Sequence, residues 1–400
     1  MSETVLRLKP GREAPVKRRH PWLFTGGVAR REGPQVAGPF VAYAADGALL
    51  GRGFLSPESP LLGRFWAYGE ARVDAALVEA RLDSALALRA RVVPPATTGY
   101  RVVHAEGDGL PGLVVDRYGG VLVVQATTAG TEAARPLWLP ALAARFPGAT
   151  LVARNDLSSR EGEGLSTAPE VLAGPDLPAP ESAEFEERGL KFAAEILSGQ
   201  KTGFFLDQRE NRFLVKEISG SARVLNLFAY SGAFGVAALA GGAKHVVQVD
   251  VSAPALEAAR ANHERNGQRV SGDAPEASLV KADVFEDLRT RVAAGETYDV
   301  VVTDPPAFAK KHGDVDRACR GYKDVNRLAM KLLAPGGTLL ACSCSGPISA
   351  DLFQKILFGA SIDAGVPLRL LSRHGAGPDH PVSLDCPEGE YLKAFRLTRA

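Results

Sequence analysis

Residues 222–235 read ARVLNLFAYSGAFG, a short apolar run that ends in a glycine-bearing turn. The run has the length of a strand, and its near-continuous apolarity suits a strand buried on both faces. Four further runs share the pattern: KHVVQVD (244–250), ASLVKAD (277–283), YDVVVTD (298–304) and GTLLACSC (337–344). Helix-like segments lie between them. The segment 253–266 is the best marked, with Ser252 to cap it, Pro254 in its first turn and Gly267 after it. Apolar strands alternating with helices specify an α/β fold around a parallel sheet covered on both faces. A helix over about 349–364 and two late strands, LRLLSR (368–373) and YLKAFRLTR (391–399), complete the region. Residues 374–390 carry no clear helix. The last strand is therefore expected to run antiparallel, because a parallel partner needs a crossover.

Ligands of open parallel sheets bind beyond the carboxyl ends of the strands. Three of these strands end in acids, Asp250, Asp283 and Asp304, and the first ends in NLFAYSGAFG. Gly232 allows a tight turn and a close approach of backbone N–H groups to a ligand. Asp250, 18 residues on, is placed to accept from two ribose hydroxyls. Dinucleotide sites use the same geometry but want G-x-G-x-x-G to seat a pyrophosphate. Here bulky Tyr230 occupies the turn, which suits a nucleoside without pyrophosphate, such as S-adenosylmethionine. Asp283 is in place to accept from an adenine amino group, with a helix N-cap as its competing role. Asn226 and Phe228 lie on the same strand end and are candidate cofactor contacts.

DPPAFAK (304–310) follows the fourth strand. Pro305 and Pro306 hold the backbone extended and out of helix. Asp304 offers a carboxylate, Phe308 a ring on which a base can stack, and Lys310 a cation at the end of the stretch. The fifth strand ends in CSCSG (342–346), which holds two of only four cysteines. Strand periodicity places Cys342 and Cys344 on one face and does not choose between them. Cys344 is nearer the carboxyl end, while Cys342 suits a small buried residue. C-x-C lacks a second Cys/His pair, so no metal is expected. No C-x-x-C redox motif is present, and Cys319 and Cys386 have no partner in sequence that suggests chemistry.

The chain's 400 residues exceed one ordinary domain. Residues 1–71 show short apolar stretches broken by Gly and Pro, a β-rich pattern, with Gly51 and Gly53 marking a bulge or close approach. Residues 71–91 have helical spacing and open a second block, 72–185. That block continues with YRVVHAE, a hairpin LVVD-RYGG-VLVVQ, and the strand ATLVARND. Residues 158–182, rich in Gly, Pro, Ser and Glu, read as a loop before a boundary near 185, and residues 186–400 form the third block. Apolar residues at 46% and charged residues at 23% are a globular composition, and no apolar run is long enough to span a membrane. Few, irregularly spaced cysteines suit a reducing cytoplasm. Net charge is only +1, but Met1 to Arg31 carries eight basic residues against Glu3 and Glu13. Among them Lys17, Arg18 and Arg19 are candidate contacts to a nucleic-acid backbone.

NLFAYSGAFG, VDVS, KADVFEDL, DPPAFAK, SCS and GQKTGFFLDQRENR together resemble the RlmI-type 23S rRNA (cytosine-C5) methyltransferases. RRHPWLFTGGV and LLGRGFLSPESPLLGRF are similar to that family's N-terminal PUA domain, and HAEGDGLPGLVVDRYG to its small middle domain. DHPV and YLKAF extend the likeness almost to the end. The resemblance implies a class I methyltransferase, Rossmann-like with a mostly parallel seven-stranded sheet, behind a β-rich PUA domain and a small α+β middle domain. It implies S-adenosylmethionine as cofactor, 23S rRNA or a ribosomal assembly intermediate as substrate, and a homodimer. It sets Lys201, Thr202, Gly203, Gln208 and Arg209 beside the cofactor, where a cation would pair with the methionine carboxylate; a surface Arg–Glu pairing is the other reading for Arg209 and Arg212. It makes Cys344 the nucleophile that adds to C6 of cytosine, with Asp304 on the base edge. In the PUA domain, Trp22 and Phe24 are expected in the core.

Two rival functions remain. An amino-directed RNA methyltransferase would use DPPAF and need no cysteine. A non-catalytic RNA-binding assembly factor would keep the fold without binding the cofactor.

Overall fold

The computed structural model describes residues 3–175, 178–272 and 274–400. The chain divides into two compact units. The first takes in the chain up to Phe185, with Ala194–Phe204 and Pro378–Gly389. The second comprises Glu186–Ala193, Phe205–Gly377 and Glu390–Ala400. Among the described residues no helix is long and apolar enough to cross a membrane.

The first unit holds two sheets. One has six strands between Thr4 and Tyr68, around a core of residues such as Leu6, Phe40, Leu55 and Phe65. Gly53 is required there: a Cβ would stand 1.9 Å from the Arg64 carbonyl oxygen on the neighbouring strand. The other sheet has five strands between Gly99 and Ala173, neighbours in sequence lying side by side. Its hairpin joins Leu113–Tyr118 to Val121–Ala126 through Gly119 and Gly120, as the sequence indicates. The helix expected at 71–91 spans Ala75–Val92, and Asp74 caps it by accepting from Leu77 N.

Two expectations fail in this unit. Residues 158–182 are not simply loop: they contain a short helix, Ser158–Gly162, and an edge strand, Glu170–Ala173. Leu151, Val152 and Ala153 supply that strand with its antiparallel partner, so pairing orders four residues whose own pattern is too short to register. Phe24 is not core, being 53% exposed, while Trp22 is half-buried and donates from Nε1 to Glu106 at 2.9 Å.

The second unit carries the seven-stranded sheet. Its strands are β1 (Arg223–Leu227), β2 (His245–Asp250), β3 (Ala277–Lys281), β4 (Tyr298–Thr303), β5 (Leu333–Ser343), β6 (Leu368–His374) and β7 (Lys393–Arg399). They lie in the order β3-β2-β1-β4-β5-β7-β6. The first five are parallel, and β7 runs antiparallel between β5 and β6. Helices α1 (Arg209–Ile218), α2 (Ala233–Ala240), α3 (Ala253–Arg265), α4 (Val284–Ala293), α5 (Val315–Lys331) and α6 (Ala350–Ala364) accompany them. Ser252 caps α3 by accepting from Ala255 N, and Pro254 lies in its first turn. Separate apolar clusters hold alternate residues of the central strands: Leu225, Leu227 and Val301 in one, Val224, Val300 and Val302 in the other. Such alternation is the mark of a sheet buried on both faces.

A polar chain runs through this apolar interior. Asn226 Nδ2 donates to Gln248 Oε1 at 2.8 Å, and Gln248 Nε2 donates to His263 Nε2. His263 Nδ1–H in turn donates to Gln268 Oε1 at 2.6 Å. The imidazole is thus neutral, and burial pushes its pKa down to about 4. The unfolded chain takes up this proton near pH 6.5 and the folded chain only near 4, so stability falls as pH drops through that window. The loss by pH 4 is about 3 kcal/mol. Denaturant titrations at pH 7 and pH 4 check it: a His263→Gln variant should show a smaller difference between the two than the wild type.

Candidate active site

The carboxyl end of β1 opens the site. Phe228 and Tyr230 both take positive φ, 59° and 46°, and Gly232 follows at 74°. Only glycine adopts such angles freely, and each non-glycine residue held there stores on the order of 1–3 kcal/mol. Asp250, at the end of β2, holds the turn: Oδ2 accepts from Tyr230 N at 2.8 Å and Oδ1 from Ser252 N at 2.9 Å. A Cβ on Gly232 would meet Ala259 Cβ at 2.7 Å, so α3 packs against the turn where no side chain fits.

Asp283 caps α4, its Oδ1 accepting from Phe285 N and Glu286 N. The capping role therefore holds, and Oδ2 is outside those two bonds. Each Asp250 oxygen likewise accepts one N–H and has a second lone pair. Asn226 Oδ1 is buried with no hydrogen-bond partner among the described residues. These acceptors, at the ends of β1 and β2 and the start of α4, are a donor-seeking set, which fits the hydroxyl and amino groups of an adenosine moiety.

The second half of the site lies where β4 and β5 end. Asp304 is half-buried, Pro305 buried, and Pro306 and Lys310 exposed. Cys342 is sealed in the interior, where burial first and the nearby Asp304 charge next hold its thiol well above the ordinary range. Cys344 is half-buried, and its Sγ faces the Asp-Pro-Pro stretch, 3.8 Å from the Pro305 carbonyl oxygen. Ser345 ties the two strand ends together. Its Oγ accepts from Ala309 N at 3.1 Å and lies 2.9 Å from Tyr322 Oη. Phe308 is half-buried, its ring 4.7 Å from that of Tyr322, and Gly321 makes room for it.

The segment before β1 is more buried than its charge suggests. Gln208 is buried and accepts from Asn211 Nδ2 at 2.6 Å. Arg209 is buried, with Nε donating to Glu210 at 3.2 Å. Arg212 is no surface residue: it forms a two-pronged, fully buried pair with Glu187, at 2.5 and 2.9 Å. Lys201, Thr202 and Gly203 belong to the first unit. There the Thr202 hydroxyl donates to Asp116 at 2.6 Å and lies 2.8 Å from Tyr118 Oη.

No sequence motif marks Lys393. It lies on β7 opposite Ser343, is buried, and donates to the carbonyl oxygens of Ser345 and Tyr391, each at 2.7 Å. Nor does a motif mark a cluster in the first unit, where His20 and Glu388 approach Cys386. Trp22 N donates to His20 Nδ1, which leaves the imidazole proton on Nε2, facing Glu388. Burial and the acids Glu106 and Glu388 push the Cys386 thiol up to about 12. A protonated thiol and an N–H-bearing nitrogen make this a hydrogen-bonded cluster.

Residues 155–390 match the model of the S-adenosylmethionine-dependent methyltransferases, and residues 6–68 that of a PUA-like domain. A Ribosomal RNA large subunit methyltransferase I from Shewanella denitrificans is 43% identical over 98% of both chains. One from Vibrio vulnificus is 43% identical over 99% of both. The chain belongs to this methyltransferase family. Its cofactor is S-adenosylmethionine. Solved structures agree on the fold. A Streptococcus mutans protein, described as a candidate S-adenosylmethionine-dependent methyltransferase, superposes with a TM-score of 0.81 at 23% identity, over 98% of this chain and 99% of that one. Another candidate methyltransferase, solved with S-adenosylhomocysteine, gives 0.82 at 22% over the full length of both. The acceptors at the ends of β1, β2 and β3 stand beyond the carboxyl ends of the strands, where open α/β sheets bind their ligands.

Proposed function

We propose that this methyltransferase methylates C5 of a cytosine in 23S rRNA, through a covalent bond between Cys344 and C6 of the base. One observation carries the reading: Cys344 Sγ faces the Asp-Pro-Pro stretch instead of the sheet interior that encloses Cys342. C5 of cytosine is a poor nucleophile. Addition of a thiolate at C6 turns it into the β-carbon of an enamine, which is a good one. S-adenosylmethionine, when bound, supplies the electrophilic methyl group that the activated carbon takes up. Asp304 stands on the base edge, where a protonated carboxyl would hold N3 as sulfur adds. Loss of the C5 proton then re-forms the double bond and releases the thiolate. Pro305, Pro306, Phe308 and Lys310 would line the base, and Gln208 and Arg209 would serve the cofactor's methionine end.

The names of the curated relatives support ribosomal RNA as substrate. Exposed Lys17, Arg18 and Arg19 would meet its backbone, and exposed Phe24 is available to a splayed base. We place the working domains at 1–71, 72–185 and 186–400, and the homodimer implied by the family would sediment at twice the chain mass.

Asp250→Ala should weaken S-adenosylmethionine binding by about 1–3 kcal/mol, because it removes the ribose acceptor and unties the Tyr230 turn. Calorimetry with the cofactor alone reads this. The function itself is tested by nucleoside mass spectrometry of rRNA from cells with and without the gene. Loss of one 5-methylcytidine is expected. Loss of an N-methylated nucleoside would favour the amino-directed reaction.

A further inference from the structure

Beyond the nucleophile itself, we propose that Lys393 is the positioning residue that keeps Cys344 as a thiolate, by holding an ammonium beside the turn that carries the sulfur. The inference rests on the reading of Cys344 as nucleophile. Lysine is rarely buried without a charge partner, yet Lys393 is enclosed in the strand that pairs with β5. Two of its three N–H donors are fixed by the Ser345 and Tyr391 carbonyl oxygens, at 2.7 Å each. Ser345 is the residue next to Cys344, so this anchoring sets the cation at the thiol's own turn. The third N–H is outside both bonds. Both of these acceptors are neutral carbonyls, and the thiolate form of Cys344 adds an anion beside them.

The surrounding charges agree. Burial lowers the Lys393 pKa to about 8, while the charges of Cys344 and then Glu390 act to raise it. The other titratable groups around the strand ends are Asp304 after β4, Tyr322 on α5, Cys342 on β5 and Asp207 before α1. The acids among these oppose a thiolate, and Lys393 is a cation that favours it. With the proton on nitrogen instead of sulfur, no proton transfer to solvent is needed before sulfur adds to the base. The thiolate that leaves at the end of the cycle returns to the same partner.

The test needs neither RNA nor cofactor. Full-length wild type, Lys393→Met and Lys393→Arg are treated with iodoacetamide from pH 6 to 9.5, and Cys344 labelling is followed by peptide mass spectrometry, with fragment ions separating it from Cys342. In Lys393→Met the labelling midpoint should rise by one pH unit or more, which slows labelling about tenfold at pH values below both midpoints. Lys393→Arg should keep most of the wild-type profile. An unchanged profile in Lys393→Met would overturn the proposal. Should Lys393→Met not fold, the reverse experiment decides: nitrogen NMR of the lysine ammonium should show a lower Lys393 pKa in Cys344→Ala than in wild type, and no shift would overturn it. A coupled pair in an enzyme whose Cys344→Ala variant still methylates would refute the nucleophile and leave the pairing standing, so the two failures are distinct.

Discussion

Cys344→Ala is expected to abolish methylation while leaving the fold and cofactor binding intact. The thiol is at a strand end, half-buried, and makes a long contact, 3.8 Å, to the Pro305 carbonyl oxygen. A thiol is a small group and a weak hydrogen-bond donor, so its removal should change stability by about 1 kcal/mol or less. Activity should fall by at least about 10³-fold, since without sulfur addition C5 has no route to becoming a nucleophile, and removing a covalent catalyst costs that much or more. Cys342→Ala is the control. That thiol is sealed in the apolar interior and held protonated, so its loss should lower stability modestly and leave turnover near wild type. Tritiated-methyl transfer to rRNA measures both. Full activity in Cys344→Ala would point to the amino-directed reaction.

Arg212→Met is expected to destabilise the protein by about 3–5 kcal/mol, the usual consequence of removing one partner of a buried ion pair. Arg212 spends two nitrogens on Glu187, and Nη1 donates to the Phe205 carbonyl oxygen at 2.9 Å. The variant leaves the Glu187 carboxylate enclosed without its guanidinium. Substituting both residues, Arg212→Met with Glu187→Leu, should recover most of the loss, because the pair's net contribution is small once both charges are gone. Urea unfolding of the full chain reads the two differences. A loss below about 1 kcal/mol would mean that the pair behaves as an exposed one.

Much of the methyltransferase sheet was legible because its strands are short apolar runs, and burial on both faces leaves no polar alternation to confuse them. The antiparallel last strand followed from a connection, residues 374–390, that carries no clear helix to make a crossover. What escaped was set by partners distant in sequence. RENR looks like a surface helix start; nothing local says that Glu187 waits to bury Arg212. EVLA at 170–173 is too brief to read as a strand until Thr150–Ala153 pairs with it. In YLKAF the lysine looks like an outward residue of an edge strand, but β7 lies between β5 and β6, so its side chain is enclosed. The one available signal was a cation flanked by the apolar Leu392 and Ala394. Phe24 failed for the opposite reason: the PUA-like sheet closes its core with Leu23, and the next residue turns out to solvent.

The central claim is a carbon–sulfur bond between Cys344 and C6 of a cytosine. It is tested most directly by giving the enzyme, with S-adenosylmethionine, rRNA transcribed with 5-fluorocytidine. Fluorine at C5 cannot leave as a proton does, so the adduct persists. The account predicts a denaturation-resistant protein–RNA species whose digested peptide carries the nucleotide on Cys344. Methylation of ordinary rRNA by the same preparation with no such species, or with the methyl group on a base nitrogen, would contradict it.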